Sequence, residues 1–215
     1  MITVWCMNTG GHAPPQEVQT LKRMVDRHLS ISHEFVCITN EHVDGVDTVK
    51  PINDLPGWWG KTNLFAPTVS RRRNLWLDLD VTITGNIDSL CEPLSDFCDI
   101  RTCLNWAQSG WGGCQSSVMY WEEDSAEMIY DRFDKKDAHW PPINRPGVLW
   151  GDQEHITRLR EYGYVDVEYF KQEQVVSYKY HCRQQGLPPE SLIQVFHGDP
   201  KPSGVSDQWV RDARA

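Results

Sequence analysis

The chain opens on a run of apolar side chains, Ile2 to Met7, that breaks at Asn8-Thr9-Gly10-Gly11. This is the pattern of a buried strand delivered into a turn. After Pro14-Pro15, apolar residues recur at Val18, Leu21, Met24, Val25 and Leu29, a spacing that gathers them on one stripe of an amphipathic helix. Glu34–Thr39 and Val46–Ile52 read as further strands, and Asp54 to Gly57 as a turn. Trp58 to Ala66 reads as a helix stopped at Pro67, and Asn74-Leu75-Trp76-Leu77 as a buried strand running straight into Asp78. Asp99–Trp106 and Gln115–Trp121 have strand character. Ser125 is placed to cap a helix through Phe133, and Asp152 another, with Ile156 and Leu159 inward and Gly163 as its stop. Val165–Tyr169, Val175–Tyr180 and Ile193–His197 complete the strands.

Strands and helices alternate early and strands dominate later. The expected class is therefore α/β, a mixed central sheet with helices on both faces. Ligands of such sheets gather beyond the carboxyl ends of the strands, which points to the turns after Met7 and Leu77. The 215 residues contain no repeat, low-complexity tract or linker and suit a single domain. No apolar run approaches the ~20 residues needed to span a bilayer. The N-terminus lacks the basic start and apolar stretch of a signal peptide, so the expected location is cytoplasmic.

The net charge of -9 opposes broad electrostatic capture of nucleic acid or of an anionic membrane. Arg71-Arg72-Arg73 is the local exception. The seven cysteines include no C-x-x-C pair, which speaks against a zinc cage and for reduced thiols. Ten tryptophans serve either as core packing or as stacking platforms for sugar rings or bases.

The most informative segment is Leu77-Asp78-Leu79-Asp80-Val81-Thr82-Ile83-Thr84-Gly85-Asn86-Ile87-Asp88. In a continuing strand Asp78 and Asp80 share a face. Two like charges side by side are costly to bury unless a cation holds them, and carboxylate oxygens suit hard ions such as magnesium or manganese, which also grip phosphates. The plainer reading is a turn in which one acid caps backbone amides and the other is solvated.

Six stretches carry a resemblance to GT-A glycosyltransferases, specifically to bacterial and phage proteins similar to glycosyltransferase family 8. Trp58-Trp59-Gly60-Lys61-Thr62-Asn63-Leu64-Phe65 resembles the helix before that family's acidic motif, and Leu75-Trp76-Leu77-Asp78-Leu79-Asp80 the metal motif itself. Gln115-Ser116-Ser117-Val118-Met119 is similar to its N-S-G-V-M strand. Gly151-Asp152-Gln153, Val176 to Arg183, and Phe196-His197-Gly198-Asp199-Pro200-Lys201-Pro202 complete the order. The resemblance implies one GT-A domain over residues 1–215. Residues 1–105 would form the nucleotide-sugar half, ending in the D-x-D region, and 106–215 the acceptor half with the H-G-x-x-K-P loop.

It also implies roles. Met7 and Asn8 would lie beside base or ribose, and Lys61 would face the phosphates or donor sugar. Asp78 and Asp80, with Leu79 between them, would hold manganese or magnesium on the diphosphate. Gly198 and Lys201 would contact that diphosphate, and Asp152 and Gln153 the donor sugar near its anomeric carbon. Ser116 and Ser117 would line the acceptor side. His197 is the implied third metal ligand, although alignment through Gly198-x-x-Lys201-Pro202 puts Val195 at the family's usual histidine position, and Ser203 replaces the usual tryptophan. The implied donor is a UDP-sugar, transferred with retention. The acceptor is a saccharide, a protein or hydroxymethylated phage DNA. Two other readings stand beside it: a haloacid-dehalogenase-like phosphatase with Asp78 as nucleophile, and a non-catalytic sugar- or nucleotide-binding module.

Overall fold

A computed structural model describes residues 1–10, 13–107, 113–139 and 149–215. Gly11, the last residue of the expected first turn, lies outside the described residues. The chain runs β1 (Ile2–Met7), α1 (Pro15–His28), β2 (His33–Ile38), β3 (Asp47–Val49), a 3-10 segment Gly57–Phe65, β4 (Arg73–Leu77) and β5 (Val81–Ile83). It continues through β6 (Ile100–Leu104), β7 (Cys114–Glu122), α2 (Glu127–Asp131), α3 (Asp152–Glu161), β8 (Val167–Tyr169), β9 (Val175–Ser177), a π-turn Tyr178–Cys182, β10 (Ile193–Val195) and α4 (Gln208–Arg214).

Among the described residues, seven strands form one sheet in the order β3-β2-β1-β4-β7-β6-β8, and three form a second, β5-β10-β9. The large sheet is mixed: β1 is parallel to β2 and β4, while β7 is antiparallel to β4 and β6. Period-2 alternation divides its side chains between two cores. Val4, Cys6, Leu75, Leu77, Val118 and Tyr120 face α1 and the small sheet. Trp5, Trp76, Met119 and Trp121 face the other side, with Leu64 and Phe65 of the 3-10 segment and with α2 and α3. The expected α/β layering with helices on both faces is thus present. Strands buried on both faces read as continuous apolar runs, which is why β1, β4 and β7 were legible.

Four local expectations are corrected. Strand β4 ends at Leu77, so the acidic pair occupies a turn between β4 and β5 and not a continuing strand. The segment from Trp58 is 3-10; it is buried nearly all round, from Trp59 to Phe65, and carries no amphipathic stripe to favour an α-helix. Ser125 caps no helix, because its Oγ donates to the carbonyl of Asp99 instead and α2 starts after Ala126. Val175–Tyr180 is a strand only to Ser177 and then winds into the π-turn. No helix among the described residues is long and apolar enough to cross a membrane.

Candidate active site

The carboxyl ends of β1 and β4 open into a cavity of about 570 Å³. Met7, Asn8, Lys61, Asp78, Leu79 and Asp80 line it, as do Asp152, Gln153, His197, Gly198 and Lys201. The residues to which the family resemblance gives donor, metal or acceptor roles therefore meet at one place.

Each reaches it for a local reason. Asp78 directly follows β4, and its amide donates to the Ser117 carbonyl of β7 at 2.9 Å. Its Oδ1 accepts from Trp76 Nε1 at 3.0 Å and lies 2.9 Å from Lys61 Nζ. Lys61 is buried, its ammonium also donating to Ser116 Oγ at 3.2 Å. Burial opposes that charge, but Asp152 and then Asp78 outweigh it, and the pKa stands above the ordinary lysine value.

Asp152 is the first residue of α3, and Gly151 occupies the cap position, so Asp152 is not the helix cap the sequence suggested. Its side chain turns into the cavity. Oδ2 lies 3.5 Å from Lys61 Nζ, within ion-pair range, yet accepts no hydrogen bond. Burial pushes the Asp152 carboxyl up, against the pull of Lys61. Gly151 is required by shape: a Cβ there would lie 2.1 Å from Nε1 of Trp58, whose indole forms part of the cavity wall. That indole N–H donates to the Trp150 carbonyl at 2.9 Å.

Asp80 pairs with Lys201 Nζ at 2.5 Å. Burial, then the charge of Asp78, raises its pKa, and Lys201 lowers it. The small sheet brings these two together: β10 runs antiparallel to β5, and the Phe196 amide donates to the Asp80 carbonyl at 2.9 Å. His197 follows directly. Its ring lies against Trp106 (centroids 5.8 Å) and Tyr180 (5.7 Å), and Nε2 is 2.7 Å from Ser177 Oγ. Burial, with Lys179 and Lys201 next, lowers its pKa to about 4. Val195, at the position aligned with the family histidine, is fully buried in β10.

Asp78, Asp80 and His197 thus share the cavity but are turned to different partners, and among the described residues no three His, Cys, Asp or Glu side chains converge to hold a metal. The chemistry of the two carboxylates nevertheless suits a hard divalent ion, which is commonly held by one or two carboxylates together with substrate phosphates. Burial and mutual repulsion at Asp80 mark the pair as short of positive charge.

Asn8 both lines the cavity and braces its own loop, exchanging hydrogen bonds with the backbone of Ala13. Met7 packs over Gly60, where a Cβ would come within 2.7 Å of its sulfur. Arg183 borders a separate hollow with Tyr178 and Asp207. Arg71 and Arg72 are exposed, the Arg71 guanidinium lying over the Trp5 ring, and half-buried Arg73 donates to Tyr120 Oη. Arg73 begins β4, at the end opposite the site and roughly 17 Å from Asp78 at ~3.3 Å per residue. Trp5, Trp59, Trp76 and Trp121 are core, while Trp58 lines the cavity and Trp106 packs against His197. Trp111 and Trp140 lie outside the described residues. Glu17 in the first turn of α1 and Tyr180 beside His197 were not legible in the sequence. Their spacing belongs to unrelated elements that only the fold brings together.

No protein-family model matches the chain, and no curated protein sequence does. Its fold, in contrast, is shared with many solved structures. The apo form of the glycosyltransferase GlyE from Streptococcus pneumoniae TIGR4 superposes with a TM-score of 0.71 at 16% identity, over 99% of this chain and 59% of GlyE. The galactosyltransferase LgtC, in complex with donor and acceptor sugar analogs, gives 0.64 at 12% identity, over 100% and 95%. A glycosyltransferase involved in glycosylation of the major capsid of PBCV-1 gives 0.61 at 13% identity, over 92% and 94%. The chain thus spans about three fifths of GlyE and nearly the whole of LgtC. The fold is GT-A, and it does not favour the phosphatase reading of Asp78.

Proposed function

We propose that this chain is a metal-assisted glycosyltransferase that takes a sugar from a nucleotide diphosphate, a UDP-sugar on the resemblance of its motifs, and passes it to an acceptor hydroxyl with retention. The observation that carries the reading is the convergence, in one cavity of a GT-A fold, of Lys61, Asp78, Asp80, Asp152, Gln153, Gly198 and Lys201 from segments far apart in the chain.

Asp78 and Asp80 are the residues to hold the divalent ion, which when bound would supply Lewis-acid neutralisation of the leaving diphosphate. Met7 and Asn8 flank the base and ribose. Lys201 and the Gly198 backbone meet the diphosphate, where positive charge and an unobstructed backbone favour phosphate oxygens. Asp152 offers Oδ2, which lies in ion-pair range of Lys61 but accepts no hydrogen bond, to a donor-sugar hydroxyl, with Gln153 beside it. Lys61 keeps Asp152 and Asp78 in place. In the transfer the bond from the anomeric carbon to the diphosphate oxygen breaks, and a bond to the acceptor oxygen forms on the same face. The acceptor proton passes to the departing phosphate oxygen, since both motif carboxylates are committed and Asp152 is tied to Lys61. The acceptor we favour is a saccharide or protein hydroxyl, because the net charge of -9 and the placement of Arg71–Arg73 oppose a DNA duplex.

Calorimetric titration with UDP, with and without manganese, tests the reading, together with UDP release from a panel of UDP-sugars. Manganese-dependent binding lost in Asp78→Ala and Asp80→Ala is expected. Full sugar transfer by the double alanine variant would end the proposal.

A further inference from the structure

Lys179 is not itself among the cavity-lining residues, but its ammonium lies against the Gly198 loop that is, and it carries a charge that the preceding reading does not use. It lies in the π-turn Tyr178–Cys182 and is half-buried. Among the described residues no carboxylate is paired with it, whereas Lys61 is held by Asp78 and Asp152, and Lys201 by Asp80. An ammonium with no fixed carboxylate partner is available to an entering anion.

Its position is defined by Gly198. A Cβ built on that glycine would stand 2.9 Å from Lys179 Nζ, so the ammonium occupies space that a side chain at 198 would take. Gly198 also has φ +71, a conformation that glycine adopts without strain. The loop beneath the ammonium is the one that lines the cavity with His197, Gly198 and Lys201. The sheet agrees with this placement: β9 delivers the π-turn beside β10, with Ser177 in register with Val195. Lys61 and Lys201 are both engaged by carboxylates, Lys61 by Asp78 and Asp152 and Lys201 by Asp80. A diphosphate entering there adds negative charge that Lys179 is free to meet.

We propose that Lys179 is a further anion-binding residue of this site, its ammonium taking a phosphate oxygen of the nucleotide diphosphate beside Gly198. The assignment rests on the transferase reading above and adds a contact to it. A cation that holds the leaving group also stabilises the charge that grows there as the sugar departs.

The test is calorimetry of UDP and of uridine, with manganese present, on the wild type, Lys179→Ala, Lys179→Gln and Lys179→Arg. Losing one charged hydrogen bond to phosphate is expected to weaken UDP roughly 10- to 100-fold in the Ala and Gln variants. Uridine binding should be unchanged, and Arg should restore most of the UDP affinity. The dependence of UDP binding on salt should become shallower in the Ala variant. Equal UDP affinity in wild type and Lys179→Ala, or an equal loss for uridine, overturns the assignment. If the wild type binds none of UDP, GDP, ADP, CDP and dTDP, the transferase reading itself falls, and this one with it. Thermal unfolding of each variant separates lost binding from lost folding.

Discussion

Lys61→Met keeps the length of the side chain and deletes its charge, leaving Asp78 and Asp152 without the ammonium between them. The pair lies deep: the side chains of Lys61 and Asp152 are 8% and 4% exposed, and that of Asp78 21%. Removing one partner from a buried pair costs about 3–5 kcal/mol, because the other is left charged and desolvated. For a chain of this size each kcal/mol moves the melting temperature by about 2–4 °C, so a fall of roughly 6–20 °C is expected at pH 8. The pH dependence has a definite sign. Burial already raises the Asp152 carboxyl above its ordinary value, and without Lys61 it rises further. The folded variant then binds more protons than the unfolded chain above pH 3.8, so its stability falls as pH rises. Lys61 stays protonated in both states from pH 5 to 8 and adds no slope of its own. The deficit relative to wild type should therefore shrink at pH 5, and Asp152→Asn added to Lys61→Met should recover part of it. Differential scanning calorimetry at the two pH values reads this directly. An unchanged melting temperature at pH 8, or a deficit that grows toward acid, would refute the reasoning.

Gly151→Ala should be more damaging than its size suggests, since the new methyl would meet the Trp58 indole at 2.1 Å and force that wall of the cavity to move. A loss of about 1–3 kcal/mol by chemical denaturation, with weakened UDP binding, is expected, and a neutral outcome would show that Trp58 does not define the wall. His197 should remain neutral from pH 8 to about pH 5, its pKa lowered to about 4 by burial and then by Lys179 and Lys201. The unfolded chain takes that proton near pH 6.5, so stability is lost as pH falls from about 6.5 to 4. An imidazole midpoint near 6.5 in an NMR titration of the folded protein contradicts this.

How far the sequence could be read depended on which physics set each feature. The apolar stripe of α1, the runs of β1 and β4, and the stop at Gly163 are local and were legible. The meeting of Lys61, Asp78, Asp152 and Lys201 was legible only through ordered motifs, since no spacing in one element encodes it. Strand β5 and helix α4 went unread. Three residues, Val81–Ile83, carry too little periodicity to separate a strand from the acidic turn before it. In α4 only Val210 is buried, so no stripe announces the helix. The caps failed for a related reason: Ser125 and Asp152 have the right chemistry to end a helix, but a distant carbonyl and a distant ammonium compete better for their oxygens.

The pairing of β5 with β10 also governs when the site comes into being. A chain leaving the ribosome has every strand of the large sheet once Tyr169 has emerged, but Val81–Ile83 finds its antiparallel partner only with Ile193–Val195, and Asp80 its lysine only at position 201. Chemistry is thereby withheld during synthesis: the scaffold can be assembled while the acidic turn still awaits the strand that anchors it and the cation that neutralises it.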